Sequence, residues 1–165
     1  VNYISGELLE QVRPPNDLHQ LSIRHLDVAA SGLVAIAMQY EGDPFDTPPL
    51  VALHRRGGPL TLLQAPIAVQ KQMRNYCGSV TFSLEADHFA VSSPRGNLVT
   101  YWSAEGDYLT MHRQADACGV AAEGRGFLVS DGSGKLMRTR KSGTSQQLAI
   151  YRDTRWDNHL AVISG

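Results

Sequence analysis

The chain has 165 residues, 42% of them hydrophobic and 19% charged, with a formal net charge of −1 at pH 7. That balance leaves no single-sign field to draw in nucleic acid or an anionic membrane surface. No apolar run approaches the ~20 residues that span a bilayer, and two cysteines are too few for a disulfide scaffold.

The first fifteen residues read as two strands, NYIS and LLEQV, either side of Gly6. The start, VNYISGELL, has no initiator Met and lies inside an expected strand, which reads as a piece of a longer protein. Residues 19–65 then carry four apolar runs: Leu26–Ala29, Leu33–Tyr40, Leu50–His54 and Leu60–Gln64. Two additions lengthen this unit. One is the loop EGDPFDTPP between its second and third strands, the other the segment APIAVQKQMRN, expected to form a short helix after Pro66. HRRG at 54–57 reads as a solvated basic turn, and Glu41, Asp43 and Asp46 as acids of a solvated insertion.

Residues 76–113 form the most regular unit. Its strands Gly78–Ser83, His88–Ser93, Leu98–Ser103 and Tyr108–Arg113 are separated by LEAD, SPRGN and AEGD. Gly96 and Gly106 are expected to supply positive φ where the chain reverses. Trp102 is expected in the third strand, packed between units. Residues 118–151 repeat the pattern with Gly119–Ala122, Phe127–Asp131, Leu136–Arg140 and Gln147–Tyr151, and Gly132 falls in a turn. SDGSGK at 130–135 lacks the spacing and following helix of a phosphate loop and reads as a hairpin turn. Residues 156–163 read as one further strand.

HLDV at 25–28, SVTF at 79–82, GVAA at 119–122 and HLAV at 159–162 occupy equivalent places, 54, 40 and 40 residues apart. About 40 residues holding four strands is the signature of a β-propeller blade. The expected fold is all-β: three full four-stranded blades at 19–65, 76–113 and 118–151, the end of a preceding blade at 1–15, and a closing strand at 156–163. Three blades do not close a ring: either the N-terminal pair of strands and Leu160–Ile163 join into a fourth blade, or the chain is an arc of a larger ring, which is favoured. An arc would leave apolar blade faces open to self-association or to pairing with the remaining half.

In a propeller, the loops before the innermost strands and those between strands two and three gather at one mouth of the channel, where a rigid scaffold holds them. Mapping the repeat places Arg24, His25, Asn75, Tyr76, Arg95, Asp131, Asp157, Asn158 and His159 there as candidate ligand contacts, with Glu41, Asp43, Asn97, Asp116 and Trp156 nearby. Asp, Asn and His at such positions also cap turns. His25 and His159 hold matching repeat positions and are of metal-ligating type, with Cys77 or Cys118 as possible thiolate companions. No HxxxH or CxxC pair is present, so ligands would have to converge from different blades, and no metal, cofactor or catalytic residue is assigned. Cys77 and Cys118 are expected to be buried free thiols, an interblade disulfide being the other option.

HQLSIRHLDVA at 19–29, QYEGDPFDTPPLVALHRRG at 39–57, AVSSPRGN at 90–97 and WDNHLAVI at 156–163 resemble the bacterial DUF1513 family, in that order along nearly the whole chain. Its members are about twice this length, look like seven-bladed propellers, often carry a twin-arginine export signal, and are often found near genes for imelysin-type iron-uptake proteins. The resemblance implies the C-terminal half of an exported, periplasmic propeller, with Leu160–Ile163 inserted as the innermost strand of the first blade. It carries over no catalytic residue. The expectation is a binding or scaffold propeller for a protein or small-molecule ligand, without nucleic acid or membrane insertion; the alternative is a metal-dependent, hydrolase-like propeller.

Overall fold

The structure, a computed structural model, describes residues 1–163. Among these residues, twelve strands form three separate four-stranded antiparallel sheets, each a simple meander. The first sheet holds β1 (Leu21–Val28), β2 (Leu33–Tyr40), β3 (Val51–Arg55) and β4 (Thr61–Leu63). The second holds β5 (Ser79–Phe82), β6 (His88–Ser93), β7 (Leu98–Ser103) and β8 (Tyr108–Arg113). The third holds β9 (Ala117–Glu123), β10 (Gly126–Asp131), β11 (Lys135–Thr139) and β12 (Ser145–Ile150). The first strands neighbour one another, β1 beside β5 and β5 beside β9. Sheets fanned around their first strands are the blades of a propeller.

Blade two shows why the blades stack. Side chains alternate across a strand, and here both faces are apolar. Phe89, Val91, Leu98 and Trp102 join the core of blade one with Met38, Leu50, Val51 and Leu53. Ala90, Val99 and Tyr101 join Ala117, Val120, Phe127 and Val129 of blade three. Trp102 is fully buried in the third strand, as expected, edge-on to Tyr108 and donating to Thr100 Oγ1 at 2.9 Å. At the ends of the stack, Ile23, Leu26 and Val28 of β1 and Leu148 and Ile150 of β12 are exposed.

Several local expectations are corrected. β1 begins at Leu21 rather than Leu26, with a bulge between Ile23 and His25, so Arg24 and His25 lie inside a strand and not in a preceding loop. β9 likewise begins at Ala117, which puts Cys118 inside it. Gly106 has φ +102°, as expected, but the left-handed residue of the SPRGN turn is Asn97 (φ +55°), not Gly96. Gly96 is required for space, since a Cβ there would run into the Gln72 carbonyl oxygen and Met73 Cα. Residues 2–12 and 156–163 form no strand, because no neighbouring strand offers them a ladder. The N-terminal segment is tied down instead by Glu10, which accepts from the Gly57 N–H at 2.9 Å and contacts His54 Nε2 at 3.3 Å. The segment from Asn158 to Ala161 crosses the first strands of all three blades without pairing: Asn158 reaches Gly78, His159 meets His25, and Leu160 lies against Gly119.

Candidate functional site

The two additions to blade one meet at one end of its seam with blade two. Pro66 caps the short helix α1 (Ile67–Gln72), and the chain leaves it through Arg74 and Asn75, both left-handed at φ +51° and +54°. A non-glycine residue in that region stores about 1–3 kcal/mol of strain, held by its surroundings. The restraints are visible. The Tyr40 N–H donates to the Asn75 carbonyl, and Gln39 bridges Tyr76. Ser93 Oγ reaches the carbonyls of Met73 and Tyr76 at 2.8 and 2.6 Å, and Gln72 Nε2 donates to the Gly96 carbonyl. The long loop of blade one is anchored too, by Tyr40 Oη donating to Asp46 and Asn75 Nδ2 donating to the Asp46 carbonyl. That bond to the Asp46 carboxylate raises the Tyr40 pKa above its ordinary value.

Between these walls is an open cleft of about 600 Å³, lined by Tyr40, Glu41, Lys71, Arg74, Asn75 and Arg95 among others. Arg95 lies over the Tyr76 ring, 4.7 Å from its centroid, and Tyr76 Oη accepts from Asn158 Nδ2 at 2.9 Å. Arg24 is in an ion pair with Glu41 at 2.7 Å. The His25 and His159 rings are 4.9 Å apart and line a second, more polar recess of about 410 Å³ with Asp27, Thr81 and Asn158. Burial, and then the neighbouring His159 charge, push the His25 pKa below its ordinary value, with Asp157 opposing.

Most sequence-derived candidates therefore meet: Arg24, His25, Asn75, Tyr76, Arg95, Asn158 and His159 cluster at this end. Asp131 does not present itself to solvent. It is fully buried, and its Oδ1 accepts from the Ser133 N–H, Ser133 Oγ and the Lys135 N–H, closing its own hairpin. Asp157 Oδ1 is taken up by the next N–H, that of Asn158. Cys77 and Cys118 are free and buried. Burial raises both thiols, Cys118 to about 12 with the Asp116 charge adding to the effect. Among the described residues, no group of three or more His, Cys, Asp or Glu side chains is placed to hold a metal ion.

A family model described as a protein of unknown function (DUF1513) matches residues 1–163. The chain belongs to this family. No curated protein matches it. Among solved structures it resembles a streptogramin B lyase (TM-score 0.64, 11% identity, covering 84% of this chain and 43% of that one). It also resembles virginiamycin B lyase from Staphylococcus aureus (TM-score 0.58, 11% identity, 76% and 40%). A third is Hsv2p from Kluyveromyces lactis (TM-score 0.51, 15% identity, 71% and 36%). At such identities the likeness is one of fold, and that fold is the β-propeller. The chain spans well under half the length of each of these structures. No helix among the described residues is long and apolar enough to cross a membrane.

For this DUF1513 chain, sequence reasoning missed Lys71 and Arg74. Both lie in a segment with no counterpart in the other blades, so mapping by repeat position could not bring them to the mouth. The available signal was the insertion itself: about ten residues that a blade does not need, basic at both ends of KQMR.

Proposed function

We propose that this chain is a binding propeller, without a bond-breaking step of its own, whose ligand sits at the end of the blade one–blade two seam. One observation carries the reading. Side chains from four separate segments join there into one polar surface: Arg95 on Tyr76, Tyr76 to Asn158, and His159 on His25. Rigid loops on a packed scaffold are where propellers and other folds place recognition. A panel of small metabolites, screened by thermal shift on the natural chain and on Asn158→Ala, tests it. Hits that the variant loses support the reading; no hits, or hits that the variant leaves unchanged, overturn it.

The family resemblance, and that alone, supports a place in the cell envelope and a link to iron uptake. The exposed apolar residues of β1 and β12 support a further proposal, that more blades cover both ends of the stack, from a second copy or another part of a longer protein. Light scattering tests this: a stable monomer near 18.0 kDa would count against it.

A metal-dependent hydrolytic role is the second reading, favoured by the His25–His159 contact. Titration with Zn²⁺, followed by metal analysis after gel filtration, tests it. Near-stoichiometric retention that His159→Gln abolishes would support it, and no retention would remove it.

A further inference from the structure

The cleft beside the Tyr76–Asn158 surface has an electrostatic character of its own. Lys71, Arg74 and Arg95 all line it, and each is exposed. Glu41 is the one carboxylate among its lining residues, and Arg24, outside the cleft, already holds it. Among the described residues none of the three cations is in an ion pair. The charges are not loose surface lysines, since the segments bearing them are clamped together. Ser93 Oγ shares its one proton between the carbonyls of Met73 and Tyr76, Gln72 Nε2 donates to the Gly96 carbonyl, and the absence of a side chain at Gly96 lets the two stretches of backbone touch. Arg95 is further fixed by the Tyr76 ring. Asn75, on the same wall, adds a polar side chain.

We infer that this cleft binds a compact, multiply charged oxyanion, a polycarboxylate or a phosphate, held by Lys71, Arg74 and Arg95. The inference rests on the binding reading above and names the ligand class for the same end of the molecule. Two guanidinium groups and an ammonium suit planar or tetrahedral oxyanions, the guanidinium groups by paired N–H donors. An open cleft leaves the ligand partly solvated, so binding should weaken as salt is raised.

Isothermal titration at low ionic strength with tricarballylate and, separately, with pyrophosphate is the test, with sucrose as a neutral control. The expected result is a dissociation constant of about 1 mM or tighter for at least one anion and no heat with sucrose. Preference for tricarballylate would identify the carboxylate source, and preference for pyrophosphate the phosphate source. Lys71→Gln and Arg74→Gln, both at exposed side chains, should each weaken binding about tenfold. Arg95→Gln should do the same, with a melting curve to confirm folding. No binding of either anion, or binding that the Lys71 and Arg74 variants leave unchanged, overturns the inference. Amide shifts on titration separate its failure from that of the wider reading. Shifts at Tyr76, Asn158 and His159 with none at Lys71 or Arg74 would leave the seam-end surface as the binding site and remove the cationic cleft. No shifts at either place would count against both.

Discussion

The two seams between blades differ in their balance of apolar and polar contacts. Blade one meets blade two through a broad apolar face in which Trp102, Phe89, Met38, Leu50 and Leu53 are buried together, fastened at the first strands by Asp27, which accepts from the Phe82 N–H and Thr81 Oγ1. Blade two meets blade three through a smaller apolar patch, supplemented by polar links. In that second seam Tyr101 Oη donates to Thr139 Oγ1 at 2.7 Å, Ser92 Oγ donates to the Cys118 carbonyl, and Lys141 pairs with Asp87 at 2.8 Å. The difference extends to the ends of the seams. In blade three, Asp131 accepts from the Ser133 and Lys135 N–H groups of its own hairpin. At the end of the apolar seam, three cations face a cleft with no such partners. Where a broad apolar face carries most of the contact between two blades, cationic side chains at the seam's end are left available for a ligand.

The largest effect that bears on this comparison is at Trp102. Trp102→Ala removes the largest fully buried side chain of the apolar seam and leaves Thr100 without its indole donor. A loss of about 3–5 kcal/mol is expected, read as a lower urea midpoint. A near-zero change would mean that the apolar seam is not what holds the blades.

Gly96→Ala comes next. The added Cβ meets backbone, the Gln72 carbonyl oxygen and Met73 Cα, which cannot turn aside as a flexible side chain would. Overpacking of this kind costs on the order of 1–3 kcal/mol. It should also separate the turn bearing Arg95 from the segment bearing Arg74, and so weaken anion binding as well as lower the melting temperature. Stability lost with anion affinity kept would show that the clamp does not set the cleft.

Tyr101→Phe tests the polar seam. The hydroxyl is buried, and burial pushes its pKa up to about 12, so it is the neutral donor to Thr139 across the useful pH range. Removing it leaves Thr139 Oγ1, on a fully buried residue, without this donor, at a cost of about 1–3 kcal/mol in the denaturation midpoint. A neutral substitution would mean that this hydrogen bond adds nothing to the seam, which its apolar patch and the Ser92 and Lys141 links then hold.

The scaffold was far more legible in the sequence than the site, and blade two shows why. His88–Ser93, Leu98–Ser103 and Tyr108–Arg113 were read to the residue, because alternation, turn chemistry and repeat spacing all agree there. Blade one was read less well at β1, since the bulge at Arg24 breaks the alternation that would have marked the strand's true start. The terminal segments were read as strands from apolar composition, but a strand also needs a neighbour, which composition does not supply. At the site, repeat position brought Arg24, His25, Tyr76, Arg95, Asn158 and His159 to one end. It could not show that Asp131 is consumed by its own hairpin, nor reach Lys71 and Arg74, whose segment is absent from the repeat. Insertions lie outside a rule of periodicity, and here they build the cleft.

The smallest effect expected belongs to the Lys141–Asp87 pair, and its value lies in its pH dependence. Asp87 sits between seams' partners: its carboxylate takes Lys141 from the blade three hairpin, and His88 Nδ1 and Ser83 Oγ from its own blade. Lys141 is the largest of the influences that hold the Asp87 carboxyl well below its ordinary value near 3.8; burial opposes it, and His88 and Ser83 add to it. A carboxyl with a depressed folded-state pKa contributes stability above its unfolded value and loses it as pH falls through the folded value. The contribution is therefore complete at neutral pH and begins to decline only below about pH 4. Both partners are half exposed, so Lys141→Gln should cost only about 0.2–1 kcal/mol at pH 7. The gap between the natural chain and the variant should narrow only in acid, starting where Asp87 protonates in the folded variant, below its ordinary value, and closing where it protonates in the natural fold, lower still. Urea melts carried from pH 7 down to about pH 2 would show the onset of this convergence. A gap that stays constant into acid would mean that Lys141 holds the polar seam by packing its aliphatic stem, and that the charge is incidental.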